Sequence, residues 1–480
     1  MDSPADPRPR PRARQALAIG AGFAVLFALL ARDTLHPPDA PRFIAMVHSG
    51  DATEHHHFGY IAVARLVAAA LRPFGMSTFQ AMRALSALSG GLAVAIAHRA
   101  FVRADLGTAR AAGAALLVGC CPSLLYYATT VEIHAVHLAA SALVFWSAAG
   151  MRSTLRGPAT TAAALGALRT GVLSGLAATV HASGHLLPGV LAVACMHGSA
   201  RGSALRIAAM GTGHALASAG IVALLVPDAL AAQSGYFAGF LREPIAPAVV
   251  AATLWREWLV ALAPVAWLGL LAGWRSGDRS TARWLHLAFV PYLGATVAIL
   301  RGIHDYGSYL LPLVIPLAWL AARIAPPRLV PPLAALGLLI GWCSLPSTAG
   351  LAAQREFSRA LAALELEVPV HVLGLRDEID AVARWTPGIP ADNLLALHGL
   401  RRQPATFATV LTAAFDERMA ACLASGRAPL LTAGGAAWLR AVPGDLLWQL
   451  ATEHIERRYR LEAVDRDGLH GWLVRPRAGR

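Results

Sequence analysis

Residues 8–33 read RPRPRARQALAIGAGFAVLFALLARD. Arg8, Arg10, Arg12 and Arg14 precede the apolar run 15–31, and Arg32 and Asp33 close it. Basic side chains ahead of a hydrophobic run hold that end in the cytoplasm. About 20 apolar residues cross a bilayer core. No small-residue cleavage site follows, so the stretch reads as an uncleaved first span rather than a secretory leader.

Working outward, further apolar runs fall at 80–100, 111–128, 133–150, 170–182, 184–198, 207–226, 255–274, 284–300, 309–322 and 329–346. Counted with the first, they predict eleven spans. Arginines test the orientation: 17 of the 25 in positions 1–350 fall in links expected inside, and 8 fall outside. Acids go the other way, 4 inside and 9 outside. The two segments of 170–198 are short, and arginines flank both ends, so they read as a short hairpin. Residues 58–71 are apolar but interrupted by Arg65, which predicts an interfacial helix within a long outer loop, 32–79.

Composition agrees. Of 480 residues 56% are hydrophobic and 14% charged, with a mean hydropathy of +0.52; ordinary soluble proteins carry about 25% charge. There is no lysine, and residues 1–350 carry a net +12 against +1 for 351–480. The arginines are spread between apolar runs rather than gathered on one face, which argues against a nucleic-acid partner. The expected architecture is an all-α polytopic membrane domain, 1–350, followed by a small soluble α/β domain, 351–480. In that domain 368–375 reads as a strand, 404–424 as an amphipathic helix and 429–435 as a strand with a turn. A hairpin near 458–475 turns at Asp467-Gly468. With eleven spans this tail lies outside. TAGG (432–435) is too short for a nucleotide fingerprint. The five cysteines show no CxxC spacing and no disulfide framework.

Histidine is one-sided. Ten of the fourteen in 1–350 fall in outer loops or at outer helix ends: His36, His48, His55, His56, His57, His134, His137, His181, His185 and His304. Asp51, Glu54, Glu132, Arg301 and Asp305 share that side. Polar groups at membrane depth are expensive and tend to line working cavities. The densest group is HSGDATEHHHFGY (48–60). Asp51 and Glu54, three apart, suit one helix face, and an N-cap aspartate is the plainer reading. His55 and His56 with Glu54, or His181 and His185 four apart, have the chemistry for a divalent metal. Three consecutive histidines on a helix diverge by about 100° each and cannot all meet one ion. Tyr126 and Tyr127 read as aromatic-belt residues. Arg301 and His304 suit a phosphate headgroup; alternatively Arg301 snorkels and pairs with Asp305.

Four stretches, in this order, resemble the GT-C superfamily of membrane glycosyltransferases, leaning to its protein O-mannosyltransferase-like branch. SGDATEHHHFGYIAVARL (49–66) is similar to the acidic first-loop motif. LLYYATTVEIHAVHLAASAL (124–143) is similar to the stretch in which a glutamate opens the fourth helix. GLAATVHASGHLLPGVLAV (175–193) resembles the short-helix hairpin that follows, and HDYGSYLLPLVIPLAWL (304–320) the entry into a late helix. The resemblance implies an inverting transfer of a sugar from a polyprenyl-phosphate donor to a hydroxyl acceptor, in the bacterial cytoplasmic membrane with the site facing the periplasm. It implies Asp51 as general base with Glu54 as substitute. Arg301 and His304 would bind the donor phosphate, and Glu132, His134, Asp305 and Tyr309 would orient substrate. A transporter or flippase of lipid-linked substrates, or a non-catalytic membrane assembly protein, is the alternative reading.

Overall fold

The computed structural model describes residues 10–31, 40–49, 57–155, 160–195, 200–225, 245–275, 279–300, 305–345, 351–364, 368–393, 407–436, 453–466 and 468–477. In chain order the helices are α1 (Arg10–Leu30), α2 (Ala40–Ser49), α3 (Phe58–Leu71), α4 (Thr78–Arg103), α5 (Thr108–Gly119), α6 (Pro122–Ala128) and α7 (His134–Leu155). They continue as α8 (Thr161–Val180), α9 (Leu187–Cys195), α10 (Ala200–Leu225), α11 (Pro247–Thr253), α12 (Val265–Arg275), α13 (Arg279–Leu300), α14 (Val314–Ile324) and α15 (Val330–Cys343). After these come α16 (Leu351–Ala362), β1 (Val370–Gly374), α17 (Arg376–Trp385), β2 (Ala391–Asn393), α18 (Phe407–Ala424), β3 (Ala428–Thr432), β4 (Tyr459–Arg466) and β5 (Leu469–Pro476). The chain divides into two compact units, one of Met1–Arg32 with Ala52–Pro346, the other of Asp33–Asp51 with Ser347–Arg480.

The first unit is helical. Among the described residues three helices (α1, α4 and α8) are long and apolar enough to cross a membrane, or up to five spans if two bent pairs each count as one. The expected count of eleven is therefore not confirmed. One bent pair is the run read as 111–128. It breaks between α5 and α6 with a 62° bend, because Pro122 opens α6 and supplies no N–H to the preceding turn. The run 255–274 is the other, turning by 99° after a seven-residue π-helical stretch, Leu254–Val260. The first segment of the 170–198 hairpin is longer than its apolar run suggests. Thr160 caps α8 by accepting from the Ala163 N–H, so the helix starts nine residues earlier and runs a full 20 residues. Only α9 is short. α4 starts at a capping box, where Ser77 and Gln80 each accept the other's backbone N–H.

One apolar core joins α1, α4–α10 and α12–α15. Leu17, Leu29, Leu88, Leu165 and Leu216 point outward. Large apolar side chains on the outside of a helical bundle suit lipid rather than water. Glycines bring α8 and α10 into backbone contact: a Cβ on Gly175 would stand 2.6 Å from the His214 carbonyl oxygen.

The second unit holds a five-stranded sheet in the order β2-β1-β3-β5-β4. β1 pairs in parallel with β2 (Val372 opposite Ala391) and β3 (Val372 opposite Leu430), while β5 runs antiparallel to β3 and β4. The strands at 368–375 and 429–435, the helix at 404–424 and the 458–475 hairpin all fall where their sequence patterns put them. Gly468 turns the hairpin at φ +78°. The unexpected member is α2. It packs on α17 and buries Phe43, Ile44, Met46 and Val47, so a helix from the first loop belongs to the tail's fold.

Candidate functional site

The break between α6 and α7 is the floor of the site. The Thr129 and Thr130 hydroxyls donate to carbonyls at the end of α6, and this frees residues 131–133 to turn. Glu132 is buried there, its carboxylate accepting the Ile133 N–H at 2.6 Å. A carboxylate at a helix start is favoured by the exposed N–H groups and the dipole. His134 opens α7.

Imidazoles gather around His181, which caps the end of α8 before a 3-10 turn, Ala182–Leu186. His57 stacks on it at 5.3 Å between ring centroids, with the planes 4° apart. His134, His137 and Tyr309 lie 4.7, 5.2 and 5.0 Å from it, and Tyr127 is 4.5 Å from His134. Ser183 fixes the arrangement: its hydroxyl is 2.8 Å from His181 Nδ1 and 3.1 Å from His137 Nε2, and its backbone N–H donates to the same Nδ1. An Nδ1 that accepts leaves Nε2 as the protonated nitrogen of a neutral ring.

The opposite wall is the turn 305–308. Tyr127 donates to the Asp305 carbonyl at 2.6 Å and to its carboxylate at 3.0 Å. Ser308 donates to the other carboxylate oxygen. The turn carries two left-handed residues, Tyr306 at φ +45° and Gly307 at φ +76°, and the Tyr306 ring stacks 3.9 Å from that of Tyr126. Beneath it Glu257, fully buried in the π-helical stretch, accepts the backbone N–H groups of Asp305 and Gly307.

Of the residues the sequence singled out, Glu132, His134, His181, Asp305 and Tyr309 come together. His185 does not join them. The 3-10 turn separates it from His181, and its Nδ1 lies 2.9 Å from His214 Nε2 instead. Asp51, Glu54, His55, His56, Arg301 and His304 lie outside the described residues. Tyr126 and Tyr127 are fully buried packing and donor residues, not members of an aromatic belt. His137, one of the ten outer-side histidines, joins the cluster through Ser183; Ser183 and Glu257 were not singled out as site residues. Among the described residues no group of three or more His, Cys, Asp or Glu side chains is placed to hold a metal: the imidazoles face one another and Ser183. The described residues therefore do not fit a metal ion.

The sequence matches no protein-family model, and no curated protein matches it. Solved structures do. ArnT from Cupriavidus metallidurans bound to undecaprenyl phosphate aligns with a TM-score of 0.55 at 14% identity, covering 98% of this chain and 99% of that one. The archaeal oligosaccharyltransferase AglB from Archaeoglobus fulgidus, in complex with an inhibitory peptide and a dolichol-phosphate, aligns at 0.51 and 11% identity, over 96% of this chain and 74% of that one. The Archaeoglobus fulgidus oligosaccharyltransferase in complex with zinc and sulfate aligns at 0.51 and 12% identity, over 95% and 73%. The chain shares the fold of these structures.

Proposed function

We propose that this chain, with its GT-C fold, is an inverting glycosyltransferase that moves a sugar from a polyprenyl-phosphate to a hydroxyl acceptor on the periplasmic face of the bacterial cytoplasmic membrane. The observation that carries the reading is the convergence of His57, His134, His181, Tyr127, Asp305 and Tyr309. These residues come from widely separated helix ends, all on the side that the arginine count makes external.

Sidedness has a second support. α2, from the first outer loop, packs on α17 of the tail, so loop and tail share one side of the membrane. If α1 enters from the cytoplasm, that side is the outside, whatever the number of spans between.

In the proposed reaction the acceptor oxygen attacks the anomeric carbon opposite the phosphate. The new C–O bond forms as the bond to the phosphate oxygen breaks, and polyprenyl phosphate departs with that electron pair. The hydroxyl proton goes to Asp51, with Glu54 as substitute; both belong to the stretch just before His57. Arg301 and His304, just before the Asp305 turn, neutralise the departing phosphate. Glu132, His134, Asp305 and Tyr309 orient the sugar and acceptor. The donor sugar is left open, and mannose is one member of the class.

The test is transfer of radiolabelled sugar from a panel of polyprenyl-phosphate sugars by membranes carrying the full chain. Asp51→Asn should lower turnover by about 10²–10⁴-fold, the span of a general base, with the protein still folded. Wild-type turnover in that variant removes the base assignment. If the wild-type chain moves labelled lipid across the bilayer and transfers no sugar, the transferase reading falls to the flippase one.

A further inference from the structure

Glu257 is the one fully buried acid in the first unit's described residues, and the reaction outlined above gives it no part. It belongs to the π-helical run Leu254–Val260, a form that is rare and recurs at functional sites. Both carboxylate oxygens are used. Oε1 accepts the Asp305 N–H at 3.0 Å and Oε2 accepts the Gly307 N–H. The run is anchored at its far end, where the Ala261 carbonyl accepts the Ser123 N–H at 2.9 Å. Ser123 lies in the first turn of α6, the helix that carries Tyr126 and Tyr127. The Asp305 turn is thus clamped twice to one scaffold, through its amides by Glu257 and through its carbonyl and carboxylate by Tyr127.

Such a clamp needs a carboxylate. Two converging N–H donors require two acceptor atoms, and a glutamine offers one oxygen and an NH₂ that would face the second N–H. Gly307 allows no substitute either. Its φ is positive, and a Cβ there would lie 2.9 Å from Ala261 Cβ and 3.1 Å from the Glu257 carbonyl oxygen.

We propose that Glu257 is a positioning residue for glycosyl transfer: it acts without touching substrate, by holding the 305–309 turn so that Asp305 and Tyr309 face the imidazole cluster. The inference rests on the transferase reading given above.

Glu257→Gln and Gly307→Ala perturb the same turn from its two ends. In the full-length chain in nanodiscs, hydrogen exchange read by mass spectrometry should quicken at 305–309 in both variants, and exchange in α7 and α8 should stay at the wild-type rate. Turnover per folded molecule should fall about 10- to 100-fold, as expected for displaced reacting groups. Unchanged exchange at 305–309, exchange that quickens throughout the unit, or wild-type turnover overturns the proposal. If Glu257→Gln does not fold, Gly307→Ala decides the matter by the same readouts. Should the wild-type chain transfer no sugar at all, the transferase reading falls, whereas a failed clamp shows as unchanged exchange in a chain that is active.

Discussion

Replacing Gly175 by alanine tests whether the approach of α8 to α10 builds the histidine side of the site. The added Cβ would stand 2.6 Å from the His214 carbonyl oxygen, 2.7 Å from Ala217 Cβ and 2.9 Å from the Ser218 nitrogen. Carbon atoms attract best at about 3.5–4.0 Å, so the helices must part by nearly an ångström. Overpacking of this kind costs about 1–3 kcal/mol, and the better helix propensity of alanine returns at most about 1 kcal/mol. A net loss of up to roughly 2 kcal/mol follows, a factor of up to about 30 in the folded ratio. Gly211 is the control. It lies on the same helix as His214, and a Cβ there meets nothing within 4 Å, so Gly211→Ala should be stabilising by about 0.4–1 kcal/mol. Denaturant or thermal midpoints of the purified full-length protein should rank Gly175→Ala below wild type and Gly211→Ala above it. The parted helices should also separate His185 from His214, now 2.9 Å apart. If Gly175→Ala melts with or above wild type, the two backbones are not in contact and the reasoning fails.

Tyr127→Phe removes both hydrogen bonds to Asp305 and leaves the ring in place. With one acceptor charged, a loss of about 1.5–3 kcal/mol is expected, seen as a lower unfolding midpoint together with reduced turnover; an unchanged midpoint contradicts the bonding. In the tail, burial alone would push the His371 imidazole down, but its hydrogen bonds to Asp392 and Cys422 more than offset this and lift it to about 9. A raised histidine stabilises fully below its unfolded value near 6.5, and the contribution fades as pH climbs through 9. About 3 kcal/mol is at stake. Unfolding midpoints of the tail should therefore drop between pH 6 and pH 9.5, and His371→Gln should flatten the difference; a steep drop in that variant would show another group at work.

The sequence made legible what local chemistry decides. Glu132, His134 and Asp305 stood out because a polar side chain beside an apolar run needs a reason, and Asp467-Gly468 marked the hairpin because only a left-handed turn suits it. Four features depended on something no local pattern carries. His181 and His185 looked like face-sharing partners at α-helical spacing, yet a 3-10 turn advances about 120° per residue and sends them apart. Tyr126 and Tyr127 looked interfacial, since an aromatic at a helix end reads the same beside headgroups as inside a bundle. Glu257 was hidden in LWREWLV, inside a run read as a span, and the π-helical turn left no 3.6-residue period to follow. Two runs that read as straight spans, 111–128 and 255–274, bend where Pro122 and the 261–264 turn break them.

α2 meets a partner that is encoded far downstream. Ser49 leaves the ribosome roughly 330 residues before Trp385 completes α17, which at about 5–20 residues per second is roughly 15–70 s of translation. Through that interval Phe43, Ile44, Met46 and Val47 lack the surface that finally covers them, while helix after helix is inserted. A chain cut after residue 350 would never supply that surface, so removing the tail alters the first loop as surely as mutating it.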